Sequence, residues 1–402
     1  MTKDVFVAGV GMTPFVKPGT SAPYNQMGAT AIRAALADAG LEFTQIQAAI
    51  AGYTFGDSAS GQRTIYEVGT TGIPIFNVNN LCATGSSALL LAREKIQAEA
   101  ADCVLVVGFE QMPSGPVALR YEDRTSAAEF HIKAMHANQG PSDGPLSVQA
   151  FAGAAREYMK AHDITPELLA RISVKARRHA AANPLALFRN PVSVEEVLAS
   201  RMICAPLTKL QCSPPTCGAA AAILCSGRFA ARHSLSGQVR IVAQAQTSDP
   251  AVAFESGSMV QLMGFEMAQR AAAAVYRESG IGPQDVDVIE LHDCYTSNEI
   301  ISYDALGLVP AGEVARFIAE DLNTYGGQVV INPSGGLLSK GHPIGATGVA
   351  QCAELVWQLR GTAEQRQVQG ARIALQHNIG PGGACVVTMY EGAGVRSSNE
   401  TG

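Results

Sequence analysis

Four side chains, Cys82, His292, Cys294 and His342, have the types and settings that thiol chemistry needs. His342 stands in Asn332 to Gly348 (NPSGGLLSKGHPIGATG), a stretch crowded with Gly335, Gly336, Gly341 and Gly345. Glycine permits positive φ and lets a ligand come close to the main chain. Pro343 fixes φ just after the histidine. The apolar periodic run Val349 to Leu359 reads as a helix. His342 is therefore presented at a helix entrance, where free N–H groups favour negative charge. Cys82 lies in Asn79-Asn80-Leu81-Cys82-Ala83-Thr84-Gly85, before a second helix read from Ser86 to Glu99. A helix N-terminus favours a thiolate and lowers a cysteine pKa from about 8.5.

Cys294 follows a strand end, in His292-Asp293-Cys294-Tyr295. Two thiols in one site suit a reaction in which one forms a thioester and the other moves a proton. His342 could deprotonate Cys82 or hold an oxyanion. Backbone N–H groups of Cys82 and Gly380 could form a second oxyanion site. Blander readings compete. Cys103, Cys204, Cys225 and Cys352 read as small core residues. Cys385 rivals Cys294 but lies inside a strand, and His377 reads as a polar residue at a strand end. Lys175, Arg177 and Arg178 read first as a solvated helix face and second as a phosphate site.

These residues need a sizeable scaffold. At 402 residues, two or three domain-sized units are expected, and 47% hydrophobic against 16% charged content points to a well-buried globular protein. A net charge of −6 without a long basic run argues against nucleic acid as a partner. No apolar stretch reaches a membrane span, and the start lacks the pattern of a signal peptide. Nine scattered cysteines fit reduced thiols and a cytoplasmic location. Cys212 and Cys217 have no second pair or histidine to complete a zinc site, so no metal is expected.

The chain repeats itself. Helix, glycine and strand in Ala29 to Gly52 are matched by Gln269 to Leu291, and Ala83-Thr84-Gly85 by Ala346-Thr347-Gly348. Two βαβ-type units, each with a parallel-leaning sheet, would pack through their helices and bring Cys82 to face His342. The segment from Met112 to Gln211 is helical and the most basic part, and reads as an insertion. The expected units are residues 1–112 with 213–232, an inserted loop domain at 113–212, and residues 233–402.

VNNLCATGSSAL, with Ile96 downstream, resembles the nucleophile signature of thiolases, and NPSGGLLSKGHPIGATG resembles their histidine signature at every position. The repeat, the insertion and the glycine loop before the last strand resemble the thiolase layout along nearly the whole chain. Most thiolases carry Asn-Glu-Ala-Phe where this chain has His292-Asp293-Cys294-Tyr295, and Cys-x-Gly where it has Asn378-Ile379-Gly380. Both departures resemble the sterol carrier protein X branch, the non-specific lipid-transfer thiolases, in which a His-Asp-Cys-Phe motif supplies the second cysteine. Cys217 stands where relatives usually have aspartate.

The resemblance implies an α/β thiolase fold of two similar βαβαβ-type halves related by a pseudo-twofold. It also implies a homodimer or a dimer of dimers. The implied activity is acyl transfer between coenzyme A thioesters, with coenzyme A as substrate and no permanently bound cofactor. Cys82 would be the nucleophile, His342 its base, Cys294 the second acid–base, and His292 with His342 would polarise the thioester oxygen. Ser213, Lys175, Arg177 and Arg178 are assigned to substrate binding. The alternatives are a steroid side-chain retro-aldol lyase of the same fold, and a catalytically silent acyl-CoA-binding partner protein.

Overall fold

The structure is a computed structural model and describes residues 4–115, 123–380 and 382–392. The first half supplies β1 (Val5–Met12), β2 (Ala48–Gly52), β3 (Ile75–Val78) and β4 (Cys103–Glu110). A small hairpin, β5 (Met202–Cys204) and β6 (Leu207–Thr208), precedes β7 (Gly218–Ser226). The second half supplies β8 (Val239–Thr247), β9 (Val288–Glu290), β10 (Val330–Ile331), β11 (Ile373–Gly380) and β12 (Ala384–Glu391).

Ten of these strands form one sheet in the order β10-β9-β11-β12-β8-β1-β7-β4-β2-β3. The order β3-β2-β4-β7-β1 repeats as β10-β9-β11-β12-β8, strand for strand. Directions repeat too. β2 is parallel to β3 and β4, as β9 is to β10 and β11. β7 runs antiparallel to β4 and β1, as β12 does to β11 and β8. The halves join where Val5 to Val7 pair with Val239 to Ile241. The sequence led us to expect two separate sheets of parallel character; there is one mixed sheet instead. Only three residues separate β11 from β12, and so short a connection can join only antiparallel neighbours.

The repeat also holds for the helices. Tyr24–Ala39 ends at Gly40 (φ 65°) and Phe265–Ser279 at Gly280 (φ 69°), the left-handed stop that glycine adopts without strain. These helices cover the outer faces. Thr84–Gln97 and Thr347–Arg360 pack on each other between the two halves of the sheet. β4 and β7 are buried along their whole length, as their continuous apolar runs require.

Between β4 and β7 lie the helices Glu129–Gln139, Leu146–Ala161, Pro166–Ala180 and Val194–Ala199. Two of them, Leu146–Ala161 and Pro166–Ala180, pack against Thr296–Ala305 of the second half. β11 departs from expectation, continuing through His377, Asn378 and Ile379 instead of yielding to a loop. These residues pair with Val387, Val386 and Cys385. The polar side chains of Gln376 and Asn378 find partners on the central helices, so nothing forces the strand to end. Among the described residues no helix is long and apolar enough to cross a membrane.

Candidate active site

Cys82 and His342 meet at the entrances of the two central helices, Nε2 lying 3.3 Å from Sγ. Cys82 is partly buried, just ahead of Thr84–Gln97. Its loop is pinned by Thr84, whose hydroxyl accepts from the Asn80 N–H at 2.8 Å and donates to the Leu81 carbonyl at 2.6 Å. Leu81 takes φ 48°, a left-handed conformation that costs a branched residue of order 1 kcal/mol. Such strain is common where a loop must aim a side chain.

Hydrogen bonding selects the tautomer of His342. Thr347 donates to the Pro343 carbonyl at 3.0 Å, so at 2.7 Å its oxygen accepts from Nδ1–H of His342. The proton is therefore on Nδ1, and Nε2 turns a lone pair to the Cys82 thiol. Burial holds the imidazole at a pKa of about 3, neutral and ready to act as a base. The Cys82 thiol is pushed up to about 12, by burial first and then by the charge of Glu110. Burial thus acts against the lowering expected at the helix N-terminus. The resting pair is a neutral thiol on a neutral imidazole.

The histidine loop rests on buried charge. Glu290 pairs with Lys340 at 3.2 Å and accepts from the Ser334 hydroxyl at 2.8 Å. Asp293 accepts from the N–H groups of Leu337 (2.7 Å) and Leu338 (3.2 Å). Glu110 accepts from Phe55 N–H at 2.8 Å and Gly345 N–H at 2.9 Å, and burial raises it to about 7. Neither Glu110 nor Thr347 was singled out from the sequence. A carboxylate closing the apolar strand DCVLVVGFE was the available signal for the first. The second had none beyond its place in the ATG repeat.

His292 is fully buried and crosses His342 edge to face, 5.1 Å between ring centroids. Its Nδ1 lies 3.0 Å from the Asn378 amide nitrogen, and its Nε2 has no hydrogen-bond partner. Burial and the neighbouring histidines hold its pKa well below the ordinary value. Cys82, His292 and His342 bring ligand atoms within 4.8 Å of one another, the spacing of a metal site. The donor set does not fit one, because the Asn378 amide nitrogen can only donate to Nδ1, which leaves Nε2 of His292 protonated.

Cys294 is buried beside this group, its thiol pushed well up by burial and further by Cys82 and Asp293. Cys385 is buried as well, yet burial alone raises it, with no contribution from Cys82. Gly380 backs directly onto the Cys82 loop: a Cβ there would stand 2.7 Å from the Asn80 carbonyl and 3.1 Å from the Cys82 nitrogen. Ser213 donates its N–H to the Cys294 carbonyl at 2.8 Å, and so braces the motif from behind. The helix Leu146–Ala161 packs beside this motif, where Tyr295 bonds Ser147 at 2.9 Å and meets Phe151 at 4.8 Å between ring centroids.

Lys175 is a correction. It is 3% exposed and forms an ion pair with Glu299, beside Tyr303, so it is neither on a solvated face nor free to hold a phosphate. Arg177 lies over the Phe188 ring at 4.4 Å. Arg178 is exposed and bonds Thr324 at 3.1 Å. The helical period that brings 175 and 179 to one face buries both.

Residues 5–227 match the thiolase N-terminal domain and residues 251–390 the thiolase C-terminal domain-like family. Sterol carrier protein 2 of Bos taurus is 50% identical over 96% of this chain and 72% of its own length. An acetyl-CoA acetyltransferase of Methanothermobacter thermautotrophicus is 35% identical over 96% of this chain and 99% of its own. Among solved structures, an Ltp2-ChsH2(DUF35) aldolase superposes with a TM-score of 0.83 at 25% identity, covering 98% of this chain and 99% of that one.

Proposed function

The chain belongs to the thiolase family, and we propose that it transfers acyl groups between coenzyme A thioesters through a covalent intermediate on Cys82. The observation that carries this reading is the 3.3 Å approach of Nε2 of His342 to the Cys82 thiol, with Nδ1 anchored on Thr347. In the cleavage direction His342 takes the thiol proton as Cys82 attacks the keto carbon of a 3-oxoacyl-CoA. The carbon–carbon bond breaks, and Cys294 protonates the carbanion of the departing acetyl-CoA or propionyl-CoA. The thiol of a second coenzyme A gives its proton back to the Cys294 thiolate and attacks the acyl-Cys82 thioester; the shortened acyl-CoA leaves as the proton on His342 returns to the Cys82 sulfur. Condensation runs the same steps backwards.

A neutral pair is suited to this chemistry because a thiolate is needed only once an acceptor carbon is in place. Nε2–H of His292, unpartnered in the resting site, would then meet the thioester oxygen. Backbone N–H groups of Cys82 and Gly380 would meet the oxyanion on the acyl carbon. A thiolysis assay with acetoacetyl-CoA and longer 3-oxoacyl-CoAs tests the reading: turnover requiring coenzyme A is expected, and inactivity on every chain length would contradict it.

The likeness to an aldolase supports a second reading, retro-aldol cleavage of a steroid side chain. That chemistry needs no nucleophilic cysteine, so a Cys82→Ala variant that keeps carbon–carbon cleavage would favour it. A second copy of the chain is the proposed partner. β3 is an edge strand without a buried residue; its Phe76, under the Lys95 ammonium, is 47% exposed and Leu91 is 41% exposed. Sedimentation should show a dimer or a dimer of dimers; a stable, active monomer would remove that proposal. All nine cysteines are unpaired, which supports a reducing, cytoplasmic setting.

A further inference from the structure

We propose that Asn378 is a positioning residue that fixes the tautomer of His292, so that this imidazole meets the substrate with an N–H and not with a lone pair. The inference rests on the acyl-transfer reading for its purpose but on hydrogen-bond direction for its content.

The direction is set from a backbone carbonyl outward. Gln376 sends its amide nitrogen to the Gly348 carbonyl at 2.7 Å, which leaves its oxygen to accept from the Tyr390 hydroxyl at 2.6 Å. The same nitrogen donates to Ser86 Oγ at 2.8 Å. Ser86 has one hydrogen of its own, and it goes to Oδ1 of Asn378 at 2.9 Å. With its oxygen so engaged, the Asn378 amide turns its nitrogen to Nδ1 of His292 at 3.0 Å. An amide nitrogen only donates, so Nδ1 must accept and the single proton of the neutral ring sits on Nε2. Tyr390, Gln376, Ser86, Asn378 and His292 are all fully buried, so no solvent competes for these bonds. Space for the chain of bonds comes from Gly348, where a Cβ would stand 2.3 Å from Ser86 Oγ and 2.7 Å from Asn378 Oδ1.

The other titratable groups facing His292 are Cys82, His342 and His377, the two histidines kept neutral by burial. The adjacent Asp293 carboxylate is turned away to Leu337 and Leu338. None of them supplies a competing acceptor for Nδ1. Asparagine here does what a carboxylate could not: it donates at every pH.

The test is Asn378→Asp, which keeps the shape but makes the donor depend on one added proton. With that proton, Nε2 of His292 is protonated; without it, Nδ1–H faces the carboxylate and Nε2 is bare. Thiolysis by N378D should approach wild type in acid and fall as pH rises, reaching roughly 100-fold below wild type near pH 8. The wild type should lack that ionisation. Selective 15N labelling of histidine, with His292 assigned by its loss in His292→Asn, reads the tautomer directly in the wild-type protein. Nε2–H with bare Nδ1 is expected, and this holds whether or not the protein thiolyses 3-oxoacyl-CoA, so the two readings fail separately. A proton on Nδ1, or an N378D pH profile parallel to that of the wild type, would overturn the inference.

Discussion

Gly85 and Gly348 touch back to back: a Cβ on Gly85 would stand 3.0 Å from the Gly348 nitrogen, and one on Gly348 2.3 Å from the Ser86 nitrogen. The first turns of the two central helices thus approach to backbone contact. Cys82 stands at one helix entrance and His342 ahead of the other, so this closeness is what lets Nε2 of His342 reach Cys82 across 260 positions of sequence.

Alanine in place of a mid-helix glycine usually gains about 1 kcal/mol. At Gly348 the sign should reverse. Gly348→Ala should lose about 1–3 kcal/mol of stability through overpacking, and most of its thiolysis with it. Urea unfolding and an activity assay check both, and a variant as stable and active as wild type would mean the helices can part without cost.

The moved thiol gives a paired expectation. Cys294→Ala should still accept an acyl group on Cys82 from acetyl-CoA, yet lose carbon–carbon cleavage by roughly two to four orders of magnitude. Cys385→Ala should stay close to wild type, since its thiol sits within β12 and burial alone raises it. Separate measurement of acyl transfer and cleavage distinguishes the two; the opposite pattern would move the acid–base role to Cys385.

The sites on loops were legible from the sequence because glycine and proline announce them. His342 stood out in this way, whereas for Cys82, His292 and Cys294 the likeness of their motifs to thiolase signatures decided the reading. Their repeat in the two halves gave the strand–helix order as well. Strand direction was less legible: β7 and β12 are apolar runs, and such runs read alike in parallel and antiparallel sheets. The supporting shell was hardest. Lys175 reads as surface by type, and only the packing of its helix against Glu299 makes it an interior residue. The tautomers rest on single hydrogens of Thr347 and Ser86, whose direction depends on residues far away in the chain.

Removing Lys175 should therefore affect folding and not coenzyme A. Lys175→Met leaves Glu299 buried with its charge uncompensated, at a cost of about 3–5 kcal/mol. The KM for coenzyme A of the folded fraction should not change. A raised KM at unaltered thermal stability would restore the side chain to the substrate site.

Stability should fall in acid. Burial holds His179, His342 and His377 near a pKa of 3, and His292 well below its ordinary value. Unfolded histidine takes a proton near pH 6.5, so below that pH the unfolded chain binds more protons than the folded one. The stabilisation is complete above about pH 6.5 and is lost as pH falls toward 3, by up to about 1.4 kcal/mol per pH unit for each histidine. Glu110, Asp293 and Glu354, all raised by burial, work the other way, three carboxyls against four histidines, so thermal midpoints should fall only gently from pH 6.5 to pH 5, and His377→Asn should lessen that fall. A His377→Asn profile parallel to that of the wild type would contradict neutral burial of that ring.

The central claim is that Cys82 carries the acyl group. The protein is mixed with a 3-oxoacyl-CoA in the absence of free coenzyme A, quenched in acid and digested, and its peptides are weighed. The account predicts the added mass of the shortened acyl chain on the peptide containing Cys82, discharged when coenzyme A is added before the quench. It predicts no added mass in Cys82→Ala. Acylation of another cysteine, or carbon–carbon cleavage with Cys82 unmodified and replaceable, would contradict it.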